Sequence, residues 1–150
     1  MIKIDPLTVV PSELLGIPYL HGGKTAQGAD CIGLAIMWFE HHGVRFEYKD
    51  GFGTVMNHWY VHRPYRLVDA ISKYGSVIRF QDLRMHDLLL IFTPNAQVQF
   101  PTGMAVMADD RHILSTDQTR GSFVEMLDLS WRERFWGAMR LKKADSLRKN

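Results

Sequence analysis

One cysteine, Cys31, stands in a chain of 150 residues. A single thiol excludes an internal disulfide framework and any structural zinc site built on paired cysteines. No apolar run approaches the roughly 20 residues that a bilayer-crossing helix needs, so no membrane insertion is expected. A net charge of +2 is too small an excess to argue for nucleic acid as a partner. The opening stretch MIKIDPLTVVPSELLG has acidic and proline residues where a secretory signal would be apolar, so no signal peptide is expected. Internal repeats, low-complexity tracts and a domain linker are also lacking. So is any histidine between His86 and His112.

What is there fits one domain over residues 1–150, with 46% hydrophobic and 23% charged residues, ordinary for a globular protein that buries its own core. The basic residues gather at 142–150 and read as a solvated terminus. PSELLGIPYLHGG predicts a short helix capped by Ser12 and running into a glycine-bounded loop. CIGLAIMWFEHHG predicts a central helix with Asp30 as N-cap, Gly43 just past its end, and Ile32, Ala35, Ile36 and Phe39 on one face. Residues 44–64 read as an aromatic insertion, followed by an amphipathic helix from Pro64 to Gly75. The pattern then changes to strands. DLLLIF is a short buried run, TGMAVMADDRHILST is a hairpin turning at Asp109–Asp110, and SFVEMLDL and FWGAMRL follow. Helices first and a strand meander after them predict an α+β fold, with helices packed on one antiparallel sheet.

Cys31 is placed at the first turn of the predicted central helix, where unpaired amides favour an anion and can make a thiol nucleophilic. The competing reading is a small buried apolar residue, the usual state of a lone cysteine. The segment GIPYLHGGKTAQGADCIGLAIMWFEHHG resembles the nucleophile region of the NlpC-type, papain-like cell-wall peptidases. Members carry a Gly-x-Pro-Tyr, a Gly-Gly pair, and Asp-Cys-small-Gly-Leu heading a helix. The resemblance spans roughly residues 14 to 142 and implies a papain-like fold with the cysteine-bearing helix against a small antiparallel sheet. It implies Cys31 as nucleophile, Asp30 as the residue preceding it, and Tyr19 near the oxyanion site. Ile32 replaces the usual serine, and His86 stands where the family's Gly-Asp-Leu strand has glycine. No metal and no cofactor are implied.

The base is what the resemblance does not supply. The family's histidine opens the first hairpin strand, and that position is Thr102 here, with Leu114 or Ser115 at the orienting one. Threonine cannot take a proton from a thiol near neutral pH. His112 on the second hairpin strand and His21 beside Tyr19 are the candidate substitutes. His86 is expected too far down the strand, and His41, His42, His58 and His62 read as packing or solvated residues. The segment NHWYVHRPYRLVDAISKYG resembles the phage-tail and gene-transfer-agent branch of the family. Together these imply a degenerate, structural tail-tip protein, made in the host cytoplasm, carried in the virion and bound to other tail-tip proteins. The alternative is an active cysteine endopeptidase that cuts peptidoglycan peptides during genome entry. An acyltransferase or other thiol enzyme is a third reading, which also needs a base.

Overall fold

The computed structural model describes residues 10–46, 73, 75–92, 101 and 103–142. Among them, a 3-10 turn at Ser12–Leu14 precedes a two-stranded ribbon of β1 (Lys24–Thr25) and β2 (Gly28–Ala29), and then helix α1 (Cys31–His41). Strand β3 (Gly75–Ile78) and a second 3-10 turn (Phe80–Asp82) lead to β4 (Leu88–Ile91), β5 (Gly103–Met107), β6 (His112–Asp117) and β7 (Gly121–Met126). A short helix α2 (Leu129–Arg134) turns the chain into β8 (Phe135–Leu141). The sheet order is β3-β8-β4-β5-β6-β7, with every pairing antiparallel. The α+β architecture read from the sequence is the one observed.

α1 lies across β5 and β6. Its buried residues Leu34, Ala35, Trp38 and Phe39 meet Leu88, Leu90, Met104, Val106 and Leu114 from one face of the sheet. The opposite face carries Leu89, Ile91, Ala105, Met107, Ile113 and Ala138, covered by Trp131 of α2 and by Leu83. β4 is therefore buried on both faces, which is why its sequence is a continuous apolar run instead of an alternating one. The α1 ends are as the sequence predicts. The Asp30 carboxylate accepts from the Gly33 amide at 2.7 Å, and Gly43 takes φ +78° just beyond the last turn.

Some local details differ from the expectation. Ser12 lies within the first 3-10 turn and does not cap it; Pro11 holds the cap position, with no side-chain bond. Gly75, expected at the end of a helix, is the first residue of β3, paired to Leu141. The expected helix from Pro64 and the insertion beyond Phe46 lie outside the described residues, as do Thr102 and the basic tail after Lys142. β3 and α2 were not anticipated. β3 is an edge strand of four residues, and α2 is six residues capped by Asp128, both too short to develop a readable period.

Candidate active site

The chain reaches Cys31 through a segment pinned at both ends. Ser122 on β7 accepts the Ile17 amide on its Oγ at 2.8 Å and donates that hydroxyl to the Leu14 carbonyl at 2.7 Å. Main-chain bonds between Ser122 and both Gly16 and Ile17 complete the clasp. Pro18, Tyr19 and Leu20 then run beside β2, bonded to both main-chain groups of Ala29. Tyr19 is thereby fixed next to the strand that delivers the cysteine.

Asp30 ties the loop to the helix. One carboxylate oxygen caps Gly33 and the other accepts the Gly22 amide at 2.8 Å. The motif glycine has a separate reason. A Cβ at Gly33 would collide with the carbonyl oxygen of Gly23, so the glycine loop can cross the first turn of α1 only over a residue with no side chain. Gly-Ala-Asp-Cys-x-Gly-Leu is thus a packing motif as well as a chemical one. Ile32, in the family's serine position, is half-buried and packs against the core.

Cys31 heads α1, half-buried, with the main-chain amides of Met104 on β5, of Ile32 and of Cys31 itself near its sulfur. Those amides favour the thiolate, but burial and the neighbouring Asp30 carboxylate oppose them and prevail, pushing the thiol from 9.0 up to about 12. Tyr19 is likewise raised from 10.0 to about 12, by burial first and then by Cys31 and Asp30. Among the described residues, the side chains that act on one another here are three acids.

The two substitute bases stand differently. His112 opens β6 beside the hairpin turn, where its Nδ1 lies 3.0 Å from Asp109 Oδ2 and its amide also bonds Asp109. Val106 pairs with Leu114, so Met104 lies opposite Thr116 when that register is continued by two residues. His112 is four residues from that point, roughly 13 Å along the strand. It is not brought to the sulfur. His21 sits half-buried in the turn before β1, and it is not among the groups that shift the Cys31 thiol.

Leu114, one of the two expected orienting positions, is fully buried in the helix-side core, and Ser115 alternates to the other face of the sheet. Thr116 is the polar residue that the expectation missed. Its Oγ1 is buried without a hydrogen-bond partner, on the side of β6 that faces α1. Only the pairing register reveals it. His86 precedes β4 and serves the far end of α1, as its place in the chain suggested. No group of three His, Cys, Asp or Glu among the described residues is placed to hold a metal ion. Nor is any described helix long and apolar enough to cross a membrane.

No family model matches the sequence. No curated protein matches it either. Solved structures do. An NlpC/P60 family protein from Bacillus cereus ATCC 10987 superposes with a TM-score of 0.61 at 18% identity, over 92% of this chain and 40% of that one. A protein from Staphylococcus aureus subsp. aureus Mu50, described as similar to an NLP/P60 family lipoprotein, gives 0.58 at 16% identity, over 93% and 43%. The NlpC/p60 domain of the peptidoglycan hydrolase SagA gives 0.55 at 16% identity, over 92% of this chain and all of that domain. This chain therefore spans less than half of the first two proteins and the whole of an isolated NlpC/p60 domain. With the cysteine-headed helix laid on an antiparallel sheet, the chain has the NlpC/P60-type, papain-like fold.

Proposed function

We propose that this chain is a structural component of a phage-type tail tip, built on an NlpC/P60-fold domain whose peptidase chemistry has lapsed. The observation that carries this reading is the state of Cys31. A nucleophilic cysteine needs a partner that favours its thiolate, whereas this thiol is raised to about 12 by burial and by the carboxylate beside it. Thr102, at the position of the expected base, cannot serve as one near neutral pH. The tail assignment draws on the likeness of residues 57–75 to the phage-tail and gene-transfer-agent branch. Apolar side chains left open at Leu20, Val77, Met126, Leu129 and Trp136 suit a domain that is completed by neighbouring tail proteins.

The second reading is a cysteine endopeptidase acting on peptidoglycan peptides. It is favoured by the retained geometry of Asp30, Cys31 and Tyr19, and it requires an imidazole to be carried to the sulfur. Cys31 would then attack the amide carbonyl, with amides at the head of α1 and Tyr19 opposing the oxyanion.

Two measurements separate the readings. Purified peptidoglycan incubated with the protein and with Cys31→Ala should release no peptide fragments in either case. Fragments released by the parent alone would establish the endopeptidase. Mass spectrometry of gradient-purified tailed particles from the producing cells should find the chain as a fixed constituent, and its absence from the particles would overturn the tail assignment.

A further inference from the structure

The end of α1 opposite Cys31 holds a second cluster of titratable side chains. His86, buried in the turn before β4, is the one non-glycine residue among the described ones with positive φ, at +76°. A side chain is strained in that conformation, and a glycine would not be. The strain is held by what the imidazole does. Its Nδ1 accepts the indole N–H of Trp38 at 3.0 Å, and its ring packs against Trp38, Phe39 and His42. The His42 ring meets that of His86 edge-on, with centroids 4.9 Å apart, and lies 4.3 Å from the Trp38 ring. His42 Nε2 is buried without a hydrogen-bond partner. Two imidazoles are thus packed together with the bulk of Trp38, which is itself fully buried.

We propose that His42 and His86 form an acid-operated latch, which fastens the C-terminal half of α1 to the turn entering β4 while both rings are neutral and releases it when they are protonated. The hydrogen bond requires a lone pair on His86 Nδ1, and a proton there would set two N–H groups against each other. A proton on His42 would place a charge on a buried nitrogen, beside His86 and next to His41. Burial and His41 both hold His42 below its ordinary value.

Charged groups stand on the elements around the cluster, and among the described residues Arg84 is exposed in the turn before β4. Glu13 on the first 3-10 turn faces His41, 3.0 Å from its Nδ1. Glu40 is exposed on α1, and Arg45 is exposed beyond it. In the turn itself, Asp87 is engaged by Arg140 of β8 and by the Arg84 amide, and Asp110 accepts the Met85 amide. The His86 amide donates to the Met107 carbonyl of β5 at 2.8 Å, so release would loosen the turn from β5 as well as from α1.

The sign follows from linkage. The folded latch keeps both rings neutral, and the unfolded chain takes up one further proton on each below about pH 6.5. The contribution of these rings to stability is level above that pH and falls as pH drops through it. Urea unfolding of the full chain, compared with His86→Gly and His42→Gln, tests this. Each neutral histidine contributes up to about tenfold per pH unit to the unfolding equilibrium constant below about pH 6.5, so two contribute up to about a hundredfold. Each variant should remove about tenfold per unit, and Gly at 86 also relieves the strained backbone. If one variant does not fold, the other gives the same reading. Nitrogen NMR of the parent should find His86 Nδ1 unprotonated at neutral pH, and the Trp38 indole N–H resonance should hold its position through about pH 6.5 and move only at lower pH, where the folded rings take their protons. Identical pH slopes in the parent and both variants, a protonated Nδ1 at neutral pH, or an unmoved indole resonance would each overturn the latch.

Discussion

Asp30→Asn should act on the stability of the fold and on the chemistry of Cys31 in opposite directions. The native carboxylate accepts two amides, Gly33 at 2.7 Å and Gly22 at 2.8 Å. Asparagine brings one acceptor oxygen. It can keep the helix cap, at which Asn and Asp are equally good, but its NH2 group must then face the other amide. Losing one hydrogen bond to a charged acceptor at a partly exposed site costs about 1–2 kcal/mol. The thiol responds the other way. The neighbouring carboxylate opposes a thiolate, and at a partly exposed site such an effect is about one pKa unit. Iodoacetamide labelling of Cys31 at mildly alkaline pH should therefore run about tenfold faster in Asp30→Asn than in the parent. Burial, the larger cause, remains, so the thiol stays above its ordinary value of 9.0. An unchanged or slower labelling rate in a folded variant would refute the claim that Asp30 holds the thiol protonated.

Other substitutions test the frame around the site. Gly33→Ala should cost several kcal/mol in urea unfolding, on the order of 3, and speed proteolysis of the 20–29 loop, because the loop must leave the helix to admit the methyl group. Arg140 and Asp87 form a bidentate pair, at 2.9 and 2.8 Å, around a carboxylate with no exposure. Arg140→Met, which strands the buried carboxylate, should cost about 3–5 kcal/mol, and Asp87→Asn less, because the Arg140 side chain is 19% exposed and can turn to water. Equal costs would contradict that asymmetry. At high pH the folded chain keeps protons on Cys31 and Tyr19 that the unfolded chain gives up near 9.0 and 10.0. Between about pH 6.5 and 9 stability should be level; it should then fall progressively towards pH 12, and Cys31→Ala should make that fall shallower by up to about tenfold in equilibrium constant per pH unit.

The parts of this fold that could be read in the sequence have a strong local signal. α1 announces itself through an Asp cap, an apolar length of three turns and a glycine past its end, and β4 through four consecutive apolar residues. The β5–β6 hairpin turns where Asp109 and Asp110 place it. What could not be read depends on contacts distant in the chain. β3 exists because it pairs with β8, more than fifty residues later. Thr116, and not Leu114 or Ser115, presents a buried hydroxyl towards α1, because the register of β5 against β6 sets which residue lies opposite Met104. The same holds for the histidines. Sequence order offered His112 to Cys31, whereas the turn residue Asp109 holds its ring at the hairpin's far end. His86 sits in a glycine's position, and only the fold supplies the Trp38 that explains it.

The most direct test of the central claim is a pH titration of the Cys31 thiolate by its ultraviolet absorbance, with Cys31→Ser as the blank. Cys31 should show no ionisation step until the pH is well above 9.0, in keeping with a thiol raised to about 12. A step below about pH 8 that disappears in Cys31→Ser would show a thiolate stabilised by a partner base, and would contradict the account.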